Sequence, residues 1–228
     1  MSLPPIKGFL ETSFIDWPGR MAAVLFLPGC NFNCPYCHNR ELAHQPHRLR
    51  SLEWHDVAWR LSHFKGWLDG VVVSGGEPTM QTLLPALLQA IKRLGFQTKL
   101  DTNGSQPAML ADLIKRKLLD MIAMDWKAPL TEPAYRRASG VAVDLATLEE
   151  SRRLIINSGL PHQFRSTVWP AWHGPQDIRQ MAQEVGSVHY ALQPMQCQHL
   201  SVEAQNALGS GTPYSWEELR QLQMELAA

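Results

Sequence analysis

The sequence has no long apolar run. Its longest, residues 21–28, is eight residues, and a membrane helix needs ~20, so no membrane span is expected. Net charge is also absent: 21 Lys and Arg balance 21 Asp and Glu. Broad electrostatic attraction to nucleic acid or to an anionic membrane is therefore not expected. The opening Met-Ser-Leu-Pro-Pro has no basic cap followed by an apolar stretch, so no export signal is expected and the cytoplasm is the expected compartment. No repeat, low-complexity tract or linker divides the chain. Cysteine is scarce: there are four in 228 residues, too few for a disulfide framework, and three fall within eight positions. That clustering points to a metal or redox site. What the chain does have is material for a core, 45% hydrophobic against 18% charged residues, which excludes disorder. At ~150 residues per domain its length suits one large domain or two small ones.

Short β-rich runs alternate with stretches of helical periodicity. Strands are expected over residues 22–27, 71–74, 98–101, 121–125, 163–168 and 189–193. Several are apolar without alternation, as in strands buried on both faces. Trp54, Val57, Ala58 and Leu61 share a helical face behind Ser51, a plausible N-cap. Leu84, Leu87, Leu88 and Ile91 repeat the spacing before Gly95, and Leu145, Leu148 and Ile155 do so between Asp144 and Gly159. Ser215 and Glu218 form a capping box opening a last helix. Six β–α units in succession favour an α/β fold with a parallel sheet, as an open doubly wound sheet or a barrel, partial or complete. Polar or glycine-rich residues follow the strands: Cys30, then Gly75-Gly76-Glu77, then Thr102-Asn103-Gly104, then Asp125 and Lys127, then Gln193. Chemistry gathers at the C-terminal edge of the strands in both fold types, so these residues are expected on one face.

The segment Gly29-Cys30-Asn31-Phe32-Asn33-Cys34-Pro35-Tyr36-Cys37-His38 admits four chemistries. Cys34-Pro35-Tyr36-Cys37 matches a thiol redox pair, but that reading ignores Cys30. Cys34-x-x-Cys37-His38 matches covalent haem attachment, which usually takes place outside the cytoplasm. Structural zinc would use the three cysteines with His38 or Cys197, although zinc sites usually come as two separated C-x2-C halves. An iron–sulfur cubane would take three closely spaced thiolates and keep one iron open for a ligand. The C-x3-C-x2-C spacing favours this last reading.

Cys30-x3-Cys34-x-Tyr36-Cys37 resembles the signature of the radical S-adenosylmethionine (radical SAM) superfamily, including the aromatic residue before the third cysteine. Gly75-Gly76-Glu77-Pro78 resembles its GGE motif. Asp101-Thr102-Asn103-Gly104 and Asp125-Trp126-Lys127 are similar to strand-end motifs of its glycyl-radical-enzyme activase branch. The stretch Asp16-Trp17-Pro18-Gly19-Arg20 is similar to that branch's D-G-P-G-x-R segment, with Trp17 replacing the first glycine and one residue missing before Arg20. This variant resembles the anaerobic ribonucleoside-triphosphate reductase activating proteins.

The resemblance implies a single-domain partial (β/α)6 TIM-like barrel. Residues 1–20 would pack on the barrel and contact substrate, residues 21–195 would form the core, and residues 196–228 a C-terminal extension with the last helix. It implies one [4Fe-4S] cluster on Cys30, Cys34 and Cys37, with S-adenosylmethionine as cosubstrate. Tyr36, Gly75, Gly76, Glu77, Asp101, Asn103, Asp125, Lys127 and Gln193 would bind the cosubstrate. The glycines would let the chain pass close to its methionine part, and Glu77 would accept from its ammonium. Asp16, Arg20 and Arg165 would meet the partner, expected to be a glycyl radical enzyme, anaerobic ribonucleotide reductase foremost. A small-molecule substrate, as in 7-carboxy-7-deazaguanine synthase, is the alternative. With only Cys197 left over, no accessory cluster fits, so the electron would come from flavodoxin or ferredoxin. The plainer readings remain open. Strand-end aspartates often cap helices or turns. Trp169 and Trp172 are either core or an interface, Cys197 is a small buried hydrophobe, most of the eight tryptophans are core, and none of the nine histidines shows a ligand spacing.

Overall fold

A computed structural model describes residues 2–186, 190–198, 200, 202–209 and 211–227. Its strands are β1 (Gly8–Ser13), β2 (Ala22–Leu27), β3 (Gly70–Gly75), β4 (Gln97–Thr102), β5 (Met121–Asp125), β6 (His162–Val168) and β7 (Tyr190–Pro194), and their order in the sheet is their order in the chain. The helices are α1 (Arg40–His44), α2 (Trp54–His63), α3 (Leu84–Arg93), α4 (Pro107–Lys115), α5 (Glu132–Ser139), α6 (Leu145–Asn157), α7 (Pro175–Val185), α8 (Val202–Leu208) and α9 (Trp216–Ala227), with short 3-10 turns at Pro46–Arg48 and Pro78–Met80. Among the described residues no helix is long and apolar enough to cross a membrane. The chain divides into two compact units. One comprises Met1–Asn31, Asn39–Ala123 and Glu150–His162; the other comprises Phe32–His38, Met124–Glu149 and Gln163–Ala228.

In the first unit β2 pairs in parallel with β3, Ala22 opposite Gly70 and Leu27 opposite Gly75, and β3 pairs in parallel with β4. Ala22 to Leu25 and Val71 to Val73 are fully buried, which is why these runs carry no alternation. Trp17, Ala22, Val24, Val72 and Met121 form a core cluster. The sequence reading missed β1, which runs antiparallel to β2 with an irregularity between Leu10 and Ser13. It also misplaced the start of α2. Leu52 bridges to Ile6, its amide donating to the Ile6 carbonyl at 2.8 Å. Residues 51 and 52 are thereby held outside the helix, and Glu53, not Ser51, is the N-cap. The α3 face is as expected, with Leu84, Leu87, Leu88 and Ile91 fully buried.

In the second unit β6 and β7 pair in parallel, from Phe164 opposite Tyr190 to Val168 opposite Pro194. The expected start at His189 lies outside the described residues. The capping box of α9 is present: the Ser215 amide donates to Glu218 at 2.7 Å and the Glu218 amide to Ser215 Oγ at 3.2 Å. Trp169 and Trp172 are buried, which settles them as packing residues. Of the eight tryptophans only these two, Trp17 and Trp126 are core; Trp54 is half-buried, and Trp59, Trp67 and Trp216 are exposed.

Candidate functional site

In the first unit three loops leave the C-terminal ends of β2, β3 and β4, and the first two are tied together by main chain. The Gly76 amide donates to the Leu27 carbonyl at 2.9 Å and the Glu77 amide to the Gly29 carbonyl at 2.7 Å. This approach leaves no room for a side chain. A Cβ on Gly76 would stand 1.9 Å from the Gly29 oxygen, and one on Gly75, where φ is +127°, would stand 2.3 Å from the Leu27 oxygen. The sequence reading gave these glycines to the cosubstrate; the structure shows that the neighbouring loop already requires them.

Glu77 is 1% exposed. One carboxylate oxygen accepts from the Thr79 amide at 3.1 Å, from the Thr79 hydroxyl and from the Thr102 hydroxyl at 2.7 Å; the other accepts from the Asn103 amide at 2.6 Å. Burial pushes its carboxyl above the ordinary range, and these bonds oppose that rise. Four protein donors occupy most of what a carboxylate can accept, so Glu77 links β3 to β4. Asn103 in turn donates from Nδ2 to Asn31 Oδ1 at 3.0 Å and to Cys30 Sγ at 3.9 Å. Asn31 donates to Ser105 Oγ at 2.8 Å, and the Ser105 amide returns to Asn103 Oδ1 at 2.9 Å. Asp101 is paired with the buried Lys99 two residues before it.

In the second unit the loop carrying Cys34, Tyr36 and Cys37 is stitched to the end of α5. The Asn33 amide donates to the Ser139 carbonyl at 2.8 Å, and a Cβ on Gly140, at φ +71°, would lie 2.1 Å from the Asn33 oxygen. Cys34 is buried, and burial raises its thiol pKa while the Lys127 charge opposes the rise. Tyr36 packs edge-on against Trp172 at 6.1 Å, and its hydroxyl is buried with no hydrogen-bond partner. Burial would raise the Asp125 carboxyl, but Lys127 Nζ at 3.3 Å and Arg165 Nη2 at 3.0 Å outweigh it and hold the group below its ordinary value. Burial would likewise lower Lys127, and the Asp125 charge reverses that. None of the four cysteines is in a disulfide. Among the described residues no three His, Cys, Asp or Glu side chains converge as a single metal ion would need. A cubane is wider and takes each thiolate on a separate iron.

The structure does not bring Asp16 and Arg20 to the strand ends that carry this chemistry. They precede β2, whose six residues span about 20 Å at ~3.3 Å each, so they lie at the opposite edge from Cys30. Asp16 accepts from Ser13 Oγ at 2.5 Å, and Arg20 stacks over Trp17 at 5.3 Å and donates to Gln97 at the start of β4. Trp17 is core, and the segment anchors the sheet. Gln193 is exposed on β7, and Cys197 is half-buried. Sequence reasoning missed Gly140, Tyr135 and His173. His173 is fully buried, with Nε2 2.9 Å from the Lys127 carbonyl and Nδ1 accepting from the Trp169 amide at 3.1 Å, which assigns its proton to Nε2. Tyr135 accepts from the Lys127 amide at 3.4 Å. A glycine following a helix was the visible signal for Gly140; the other two gave none.

Known proteins place this arrangement. The model of the radical SAM superfamily matches residues 24–183. A Methanocaldococcus jannaschii protein, provisionally named a glycyl-radical enzyme activating enzyme, is 38% identical over 54% of this chain and 50% of its own length. The pyruvate formate-lyase-activating enzyme of Clostridium pasteurianum is 25% identical over 82% of this chain and 79% of that protein. In the first of these and several others, the chain spans about half the length of the relative or less. Among solved structures, a radical SAM methyltransferase from Sphaerobacter thermophilus is similar in fold, with a TM-score of 0.66 at 14% identity, covering 95% of this chain and 65% of that one. Streptococcus suis SuiB bound to S-adenosylmethionine gives 0.63 at 16% identity, covering 90% and 48%. With its parallel α/β sheet and the family's cysteine motif in the loop after β2, the chain belongs to the radical SAM superfamily.

Proposed function

We propose that this protein is a glycyl-radical-enzyme activating enzyme and that its partner is an anaerobic ribonucleoside-triphosphate reductase. The observation that carries the activase reading is the likeness to the Clostridium pyruvate formate-lyase-activating enzyme, which extends over 82% of this chain. The choice of reductase rests on the similarity of residues 16–20 to that subset of activases.

The residues fit a cluster and its cosubstrate. Three cysteines stand outside any disulfide, Gly75 and Gly76 hold the β3 loop against Leu27 and Gly29, and the Tyr36 hydroxyl is a buried donor with no protein acceptor. Cys30, Cys34 and Cys37 would be the thiolate ligands. A [4Fe-4S] cluster held there would supply the electron for reductive cleavage of the C5′–S bond of S-adenosylmethionine, the chemistry by which a glycyl radical would be installed on a partner. The chain itself positions. Asn103 donates toward Cys30, and N–H donors to cluster sulfurs tune potential. Lys127 would offer an ammonium to the carboxylate of the amino acid part; Asp125 pairs with it, and Arg165 in turn pairs with Asp125. Tyr36, held edge-on by the core residue Trp172, is the aromatic residue that would meet adenine. Glu77 orients the β3 and β4 loops.

Anaerobic reconstitution with iron and sulfide, followed by dithionite and S-adenosylmethionine, tests this. Wild type is expected to yield 5′-deoxyadenosine and Cys30→Ala none. Addition of an anaerobic ribonucleotide reductase should then give a glycyl radical signal in electron paramagnetic resonance. Absence of 5′-deoxyadenosine from protein carrying about four irons sinks the chemistry, and 5′-deoxyadenosine without a protein radical sinks the partner.

A further inference from the structure

The chain is neutral overall, yet one short stretch beside the Cys30 loop is not. Residues 39–50 hold three arginines, two histidines and a single acid, Glu41. Within it α1 turns Leu42 and Ala43 inward and leaves Arg40 and His44 exposed, and His47, Arg48 and Arg50 are exposed after it. Lys7 joins them, its ammonium donating to the Leu49 carbonyl at 2.7 Å. Arg40, Arg48 and Arg50 make no ion pair among the described residues. Glu41, next to Arg40 on the helix, does not face it. The cations are thus uncompensated where they stand.

This face is also the outer wall of the Cys30 loop. The Gly29 amide, next to Cys30, donates to the Leu42 carbonyl of α1 at 3.1 Å. Asn39, at the start of α1, donates from Nδ2 to the Gly75 carbonyl at 3.2 Å. A single turn of helix, with Leu42 and Ala43 facing inward, therefore lies between the exposed cations and the residue preceding a proposed cluster ligand. These 228 residues leave one cysteine, Cys197, outside the motif, so they hold no second cluster to relay electrons. The electron must enter from another molecule at a surface close to the loop.

We infer that the basic face formed by α1 and the Pro46–Arg48 turn is the docking surface for an acidic one-electron carrier protein that reduces the cluster. This rests on the proposed function above. In the transfer the carrier is oxidised by one electron and the [4Fe-4S]2+ cluster is reduced to [4Fe-4S]+; no proton or group moves. A positive patch facing a negative one accelerates encounter and makes it salt-dependent.

The test uses an acidic flavodoxin as probe and the reconstituted full chain. The charge-reversal variant Arg40→Glu/Arg48→Glu/Arg50→Glu is compared with a matched control on the end of α4, Lys115→Glu/Arg116→Glu/Lys117→Glu. Calorimetric titration at low and high salt reads binding, and 5′-deoxyadenosine formation is followed with reduced flavodoxin and, separately, with dithionite. The face variant is expected to bind flavodoxin at least about tenfold more weakly with a flattened salt dependence. It should also lose flavodoxin-driven turnover while keeping dithionite-driven turnover. Unchanged flavodoxin affinity in the face variant overturns the inference. So does weakened binding of short duplex DNA or of the glycyl radical enzyme with flavodoxin binding intact. If dithionite gives no product from any of the proteins, the functional reading fails, and the calorimetric comparison still decides whether this face binds the carrier.

Discussion

Gly76 meets the Gly29 carbonyl so closely that even one added carbon has nowhere to go. Gly76→Ala is expected to cost about 1–3 kcal/mol, the usual range for overpacking a tight site, and to lower the iron bound after reconstitution because the Cys30 loop must shift. Urea unfolding and iron content read the two effects. Asp125 gives a pH signature. Its folded carboxyl lies below the ordinary 3.8, so its contribution to stability is present above that value and is lost as pH falls through the lowered one. Asp125→Asn should therefore be less stable than wild type at neutral pH, with the gap closing below about pH 4. Denaturation midpoints across that range check it, and a gap that does not change with pH would contradict the assignment. The sequence showed which residue types end each strand, although glycine and aspartate are also common in plain turns. It did not show what they touch. Glu77 read as a cosubstrate ligand, and nothing in the spacing showed that its carboxylate also accepts from Thr79, Thr102 and Asn103. That follows from tertiary approach, which one chain's spacing does not encode.

Secondary structure was most legible where burial imposes a period. The α3 face and the apolar β2 and β3 runs were read correctly because each is buried on the side, or sides, that the pattern implies. β1 was not, since an antiparallel edge strand with exposed Leu10 and half-buried neighbours has no clean alternation. The start of α2 moved for a similar reason: a bridge to Ile6 outcompetes the cap offered by Ser51. At the other end of the chain, local signal and structure agree. Ser215→Ala removes an N-cap whose partner bonds are present and should cost about 1 kcal/mol, seen as a lower urea midpoint with the slope unchanged.

For the whole molecule, the sequence-based fold class holds, and the two solved structures agree with it over 90–95% of the chain. What the sequence could not give is which end of the strands a segment occupies. Residues 16–20 carry a family resemblance and yet sit at the edge away from Cys30, because a resemblance marks ancestry as readily as chemistry. A ligand that binds only the folded, loaded state raises the melting temperature. S-adenosylmethionine should therefore raise it for reconstituted protein and leave Cys30→Ala unmoved, as a thermal scan would show. The seam between Gly29 and Glu77 has a consequence in time. The ribosome makes Cys30 some 47 residues before it makes Glu77 (77 minus 30). At ~5–20 residues per second the thiols wait roughly 2–9 s for the strand that clamps their loop, and longer for Gly140. A nascent chain would meet iron, or oxidants, before its pocket exists, so the proposed cluster would be assembled only after translation of β3, and its assembly would fail first in conditions that oxidise thiols within those seconds.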